Sequence, residues 1–166
     1  MSSLREAMPS RAFHLIDIEN LAHGRVTAAA CEAIARAYAA AVPVGDMDLM
    51  VVGISQSSAA HTFSLPRAWR RALGPRGHDG ADIALVTAMP DPSRLRSFRE
   101  LVIASGDHFF AGSARIAQQA GLLVTVVTSG SGGRLSHELY RASNRHLTLR
   151  LPSAPGPAQS PSCAAA

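Results

Sequence analysis

The chain has 166 residues, 47% of them hydrophobic, which suffices for one ordinary domain with a sizeable core and is too short for two comfortable ones. Its 16 basic residues, all arginine, outnumber 12 acids and give a formal charge of +4, which favours a polyanionic partner, although genome base composition alone could give the same arginine bias. Because the sequence has no long apolar run and no apolar core of a signal peptide, we expect no membrane segment and a reduced, cytoplasmic setting.

Four short apolar segments have the length and near-continuous apolar character of strands that are covered on both faces of a parallel sheet. These segments are residues 12–18, 47–53, 100–106 and 122–127. An alanine-rich helix is predicted over residues 26–42, and another over residues 108–121, where Gly121 is placed to end it. This alternation of strand and helix predicts an α/β sandwich with a mainly parallel central sheet.

The middle and the end of the chain have weaker patterns. Residues 65–77 are predicted to form a short helix that runs into a brief strand. Residues 79–89 are predicted to form a helix with acids in its first turn, where the helix dipole favours them. A glycine-rich loop over residues 129–134 precedes a predicted helix over 135–143 and a predicted last strand over 146–151.

The composition of the two ends sets the expected domain boundaries. We expect one domain over residues 12–151, after a flexible N-terminus of residues 1–11. Residues 152–166 are rich in proline, serine and alanine without periodicity, which predicts a disordered tail. Cys31 and Cys163 lie far apart, and the second is in this tail, so neither a disulfide nor a zinc site is expected.

Three aspartates are predicted to meet at one edge of the sheet. Asp17 ends the first predicted strand and Asp107 follows the third, and ligands of open parallel sheets bind beyond the carboxyl ends of the strands. Asp82 joins them if its helix begins at the same edge. Crowded carboxylates repel one another unless a cation neutralises them, and hard oxygen ligands suit Mg²⁺ or Mn²⁺. Such a cluster favours metal-assisted hydrolysis of phosphodiesters.

The segments IDIEN, GADIAL and ASGDHFFAGSARIAQQAGLLVTVV, in this order, resemble the NYN domain, a branch of the PIN-like metal-dependent ribonucleases. The resemblance covers about residues 12–151 and implies a PIN-like, Rossmannoid three-layer sandwich that acts on RNA with Mg²⁺ or Mn²⁺. It implies that Asp17, Asp82 and Asp107 bind the metal and that Asn20 assists positioning. These four residues are therefore the predicted catalytic set.

Two positions depart from the family pattern. Phe109 stands where the family usually has a second aspartate after the serine-glycine-aspartate motif, and Ala88 stands six residues after Asp82, where another acid is common. Mg²⁺ keeps several waters and needs only one or two protein carboxylates. We therefore expect the remaining acids to hold the ion, but more weakly than a complete set would.

Ordinary structural roles are the alternative for several of these residues. Asp17 and Asp107 are also typical turn or cap residues after strands, and Asp82 is also a typical first-turn helix acid. Glu19 is expected to face solvent, because it is out of phase with Asp17 if the strand continues. His108 could replace a lost ligand, although an isolated histidine at a helix start is more often simply polar.

The densest basic stretch, RAWRRALGPR, directly precedes the predicted Asp82 helix. Its four arginines are predicted to bind RNA phosphates: Arg67, Arg70, Arg71 and Arg76. Trp69 either stacks on a base or belongs to the core.

The sequence therefore favours a metal-dependent endoribonuclease, with RNA as its partner and no membrane association. The alternative keeps the fold and acts as an RNA-binding or scaffold module without turnover. A Rossmann-like small-molecule binder is a more distant alternative, because no glycine-rich turn follows the first strand. The sequence leaves a homodimer open.

Overall fold

A computed structural model describes residues 11–130 and 135–152. Within these residues six strands form one sheet, with every neighbouring pair parallel and with the strand order β3-β2-β1-β4-β5-β6. The strands are β1 (Ala12–Asp17), β2 (Leu49–Ile54), β3 (Arg70–Leu73), β4 (Glu100–Ala104), β5 (Leu123–Ser129) and β6 (Arg145–Leu149). The predicted α/β class is confirmed, and the sheet is wholly rather than mainly parallel.

Helices cover both faces of the sheet and complete a three-layer Rossmannoid sandwich. The α-helices are α1 (Ile18–Leu21), α2 (Ala28–Ala41), α3 (Gly80–Ala88), α4 (Pro92–Leu95), α5 (Ala111–Gln119) and α6 (His137–Arg141). Two 3-10 helices span Ala59–Ser64 and His108–Phe110. α1 and α2 pack on one face of the sheet, and α3 to α6 pack on the other.

Alternation of side chains along the central strands builds a core on each face. In β1, Phe13 and Leu15 pack with α3, α4, α5 and α6, whereas Ala12 and Ile16 pack with α1 and α2. Every residue of β1 is buried, as expected for a central parallel strand covered on both faces. This explains why the strand is continuously apolar except for the buried His14 and the terminal Asp17.

Gly53 in β2 lets α3 lie close to the sheet. A Cβ atom at this position would lie 2.7 Å from Leu85 Cγ and 2.8 Å from the Ala81 carbonyl oxygen. The absence of a side chain therefore allows the first turns of α3, which carry Asp82, to approach the ends of β1 and β2.

The predicted helix at the start of residues 65–77 is wrong. A 3-10 helix over Ala59–Ser64 precedes this segment, and residues 65–69 form a turn that leads into β3. Leu65 is extended, with ψ of 151°, which is the conformation that a following proline imposes, here Pro66. The brief strand at the end of this segment is confirmed as β3.

Parts of the predicted ends and loop lie outside the described residues. These parts are residues 1–10, 131–134 and 153–166. Arg11, assigned to the flexible N-terminus, is held: its guanidinium donates to the Ser97 carbonyl oxygen at 3.1 Å and lies 4.4 Å above the Phe98 ring. Ser129, assigned to the glycine-rich loop, is the last residue of β5.

Candidate functional site

The strand order places the predicted acids at the point where the sheet changes direction. The chain leaves β1 toward β2 on one side and leaves β4 toward β5 on the other, so that a crevice is expected between the carboxyl ends of β1 and β4. Asp17 is the last residue of β1, and Asp107 follows β4 by three residues. α3, which carries Asp82 in its first turn, contacts both β1 and the turn at residues 108–110.

Asp17 is buried and held at both of its carboxylate oxygens. Its Oδ1 accepts the backbone N–H of Asn20 at 3.0 Å, which caps α1, and its Oδ2 accepts the hydroxyl of Ser105 at 2.9 Å. The pKa of Asp17 is nevertheless raised to about 6, mainly by burial and also by the nearby charges of Glu19 and Asp107, which outweigh the lowering effect of these hydrogen bonds. Asp17 therefore caps α1, and its ionised form is disfavoured by burial and by neighbouring negative charges.

Asn20 and Ser105 tie the loop after β4 to the end of β1. The Asn20 Oδ1 accepts the backbone N–H of Gly106 at 3.0 Å, and the Ser105 Oγ accepts the backbone N–H of Asp107 at 3.2 Å. Ser105 is fully buried between Asp17 and Asp107. Both side chains therefore position the two aspartates, and we treat Asn20 and Ser105 as positioning residues.

Asp82 experiences the charges of the other two aspartates. Partial burial raises its pKa to about 7, and the next largest causes are the charges of Asp17 and Asp107, followed by those of Asp79 and Glu19. Carboxylates that raise one another's pKa lie close enough to repel. The structure therefore brings the three predicted metal ligands into one electrostatic cluster.

Asp107 caps the short 3-10 helix that follows it. Its Oδ1 accepts the backbone N–H of Phe109 at 2.9 Å, and the Nδ1 of the exposed His108 lies 2.9 Å from the same oxygen. His108 is thus a neighbour of Asp107 at the helix start. Its ring does not take part in the hydrogen bonds that join Asp17, Ser105 and Asn20.

Glu19 faces this site, and the expectation that it faces solvent is wrong. β1 ends at Asp17 and α1 begins at Ile18, so that strand periodicity does not apply to Glu19. Its side chain is partly buried, and its Oε1 accepts the hydroxyl of Ser58 at 2.9 Å. The sequence signal for a helix start here was Asp17, three residues before Asn20, a spacing that suits an aspartate capping a helix N-terminus.

The predicted RNA-binding arginines do not form one surface. Arg71 is a structural residue, because its guanidinium donates to the carbonyl oxygens of Thr62 at 2.8 Å and Leu65 at 3.1 Å. Trp69 is buried against the Tyr38 ring, with centroids 5.4 Å apart, so that its core role is confirmed.

The other three arginines are exposed and lie before, at the start of and after β3. Arg67 and Arg70 precede or begin the strand, whereas Arg76 lies in the turn that leads to α3. A strand of this length spans about 10 Å. Arg76 is therefore the member of this stretch that lies at the edge of the sheet with the aspartates.

The negative charge of this cluster favours a divalent cation, but its carboxylates are not already arranged as a complete set of ligands. Over residues 11–130 and 135–152, no group of three or more histidine, cysteine or acidic side chains is close enough to form a complete metal site. Mg²⁺ and related ions commonly bind through one or two carboxylates and retain several waters. Asp17, Asp82 and Asp107 would hold such an ion, and its charge would relieve their mutual repulsion.

Relief of this repulsion predicts that Asp82→Asn stabilises the metal-free protein. The folded pKa of about 7 exceeds the ordinary value of 3.8, so that stability falls as the pH rises through this window. We expect a higher thermal midpoint for Asp82→Asn than for the unaltered protein at pH 8 with EDTA, and a smaller difference at pH 5.

Asp46→Asn, at an exposed position in the loop before β2, is the matched control and should leave the midpoint nearly unchanged. Comparison with the unaltered protein at each pH also removes the contribution of His14, whose pKa is lowered by burial and which Asp82→Asn does not change. A midpoint for Asp82→Asn below that of the unaltered protein at pH 8 would show that the acids do not repel one another.

No family model, curated protein or solved structure matches this chain. The resemblance to the NYN domain thus remains a prediction that rests on the quoted motifs. In the described part of the chain, no helix has the length and apolar character needed to span a bilayer.

Proposed function

We propose that this protein is a metal-dependent endoribonuclease that hydrolyses RNA phosphodiester bonds at the carboxyl edge of β1 and β4. The observation that carries this proposal is the cluster of Asp17, Asp82 and Asp107, whose pKa values are raised at the first two positions by burial and by neighbouring carboxylates. Acids with perturbed pKa values at the carboxyl edge of a parallel sheet are typical of functional sites.

The chain's own residues would hold and orient the reacting groups. Asp17, Asp82 and Asp107 would be the ligands for Mg²⁺ or Mn²⁺, and the hydrogen bonds of Ser105 and Asn20 hold Asp17 and the loop of Asp107 in place. When bound, the ion supplies Lewis-acid polarisation of the phosphate and a water of lowered pKa. Glu19, held by Ser58, adds negative charge beside this site and so favours a cation there.

RNA is the substrate class that the charges and the motifs support. The chain is net positive and contains no lysine, so that its 16 arginines account for its formal positive charge. Their planar guanidinium groups suit phosphate recognition. The order of the IDIEN, GADIAL and SGD motifs resembles that of the NYN ribonucleases, and Asp17, Asp82 and Asp107 are the residues that carry this resemblance.

The second candidate is an RNA-binding module that does not cleave. The observation that favours it is Phe109, whose partly exposed ring occupies the position where the resembled family has another acid. A surface with this ring and nearby arginines could bind RNA even if the three acids hold a cation too weakly for turnover.

Mn²⁺ is expected to raise the thermal midpoint of the unaltered protein, and Asp107→Asn should largely remove this rise. Binding to the folded state alone adds about 2.7 kcal/mol at a concentration ~100 times the Kd. Asparagine can still cap the turn at residues 108–110, so that the variant loses a charge and keeps the local fold. The measurement is the midpoint across a Mn²⁺ titration.

Asp91→Asn is the matched control, because Asp91 also caps a helix, α4, and lies away from the aspartate cluster. Its Mn²⁺ response should equal that of the unaltered protein. A metal-independent midpoint in the unaltered protein at millimolar Mn²⁺ would rule out the proposed cation site.

A further inference from the structure

A cleft lies between α5 and α6. It has a volume of about 550 Å³ and is lined by Arg115, Gln118, His137, Glu138, Arg141 and Ala142. This volume falls within the range of ligand-binding clefts. Arg115 and Arg141 are exposed there, and together they outweigh the single carboxylate of Glu138.

Backbone contacts connect this cleft to the site. The backbone N–H of Ser136, which caps α6, donates to the Gly106 carbonyl oxygen at 2.8 Å. α6 also packs against the turn at residues 108–110, and α5 begins directly after that turn. The cleft therefore adjoins the loop that holds Asp107.

Phe109 lies on this turn, which joins Asp107 to the start of α5. Its side chain is 40% exposed, although the next residue, Phe110, is fully buried and packs edge-on against it with ring centroids 5.9 Å apart. The backbone N–H of Phe109 is held by Asp107 at 2.9 Å. An aromatic ring that is partly exposed and held by a buried neighbour is a suitable surface for stacking a base.

We propose that the single-stranded RNA segment next to the scissile phosphate runs from the aspartates across Phe109 into the α5–α6 cleft. A base stacks on Phe109, and Arg115 and Arg141 bind the phosphates. This inference rests on the proposed function and adds the direction in which the strand leaves the site. It also replaces the basic stretch before α3 as the main RNA-binding surface, since Arg71 is structural, Arg67 and Arg70 lie away from this edge, and only Arg76 lies at it.

A polyanion needs such a route because the aspartates themselves repel phosphates. Arg115 and Arg141 supply positive charge in the α5–α6 cleft, and the Gln118 and His137 side chains supply further polar groups there. Stacking on an aromatic ring together with a cationic groove is the common way of binding single strands without sequence preference.

The test is the binding of a short labelled single-stranded RNA of mixed sequence, measured by fluorescence anisotropy in EDTA so that cleavage does not intervene. For Arg115→Gln/Arg141→Gln we expect about tenfold weaker binding and a log-log salt dependence flatter by about 1.4, because each lost phosphate contact removes ~0.7 for single strands. Arg36→Gln/Arg96→Gln is the control with the same charge change, on α2 and after α4, and should bind like the unaltered protein.

Phe109 is tested separately. Phe109→Ala should weaken binding by about fivefold or more, because the stacking surface is lost, whereas Phe109→Tyr should retain it. Equal thermal midpoints for all variants would show that binding changes do not reflect unfolding.

Different results would contradict the proposed strand direction and the proposed function. If the unaltered protein binds or cleaves RNA and the cleft variants match the control pair, the strand direction is wrong and the proposed function stands. If the unaltered protein neither binds nor cleaves RNA, both are wrong. The inference is supported only if the cleft pair and Phe109→Ala weaken binding while the control pair and Phe109→Tyr do not.

Discussion

Asp17→Asn is expected to lower the rate of Mn²⁺-dependent RNA cleavage by at least about 100-fold, because a metal ligand contributes several kcal/mol of transition-state stabilisation. Asparagine has nearly the same shape and can still accept the Asn20 N–H, so that the cap on α1 is retained. The measurement is single-turnover cleavage of a labelled RNA at saturating protein across a Mn²⁺ titration.

A stability measurement shows whether the slower cleavage of Asp17→Asn reflects unfolding. The Asp17 carboxylate is buried and has a pKa raised to about 6, so that replacing it with a neutral side chain should leave the thermal midpoint of the metal-free protein unchanged or higher. Asp91→Asn should cleave at the unaltered rate. If Asp17→Asn cleaves as fast as the unaltered protein, the aspartates are not the catalytic site. If the unaltered protein binds RNA and never cleaves it, the binding-module alternative takes the place of the nuclease.

Gly74→Ala is expected to destabilise the protein by at least about 3 kcal/mol and to remove the Mn²⁺ response. A Cβ at Gly74 would overlap the carbonyl oxygen and the carbonyl carbon of Gly80. These atoms belong to the backbone at the first turn of α3, so that relief of the clash requires the helix to move. Asp82, in the first turn of α3, would move with it and change its position relative to Asp17 and Asp107.

Chemical denaturation and the Mn²⁺ titration measure the two parts of this prediction. Gly112→Ala is the matched control, because a Cβ at Gly112, in α5, meets no atom within 4 Å. Alanine is the better helix former, so that this variant should be more stable by about 0.5–1 kcal/mol and should keep its Mn²⁺ response. A Gly74→Ala protein with unaltered stability would mean that α3 does not need this close approach.

The apolar pattern of the sequence was sufficient to predict the fold class. β1, β2, β4 and β5 are buried on both faces, so that each reads as a continuous apolar run, and the helices between them follow from alanine content and from the positive φ of Gly121. The segment before β3 was not predictable in this way. Its turn depends on Pro66 and on the contacts of Arg71 with distant carbonyl groups, which no local pattern records.

The sequence by itself also determined that Asp17 and Asp107 lie at one edge, because both follow parallel strands and parallel strands end on the same side of a sheet. Only the tertiary structure decided which other groups join them. Gly53, Gly74 and Gly80 let α3 lie close enough to the sheet for the charge of Asp17 to raise the pKa of Asp82.

The end of β1 at Asp17 turned Glu19 toward the site, whereas packing placed Trp69 in the core and Arg71 against backbone carbonyls. Hydrophobic periodicity and composition show which strand or helix a residue belongs to and which face it occupies there. The burial and mutual repulsion of these acids depend on distances between elements that are far apart in the chain, and those distances arise only when the layers pack.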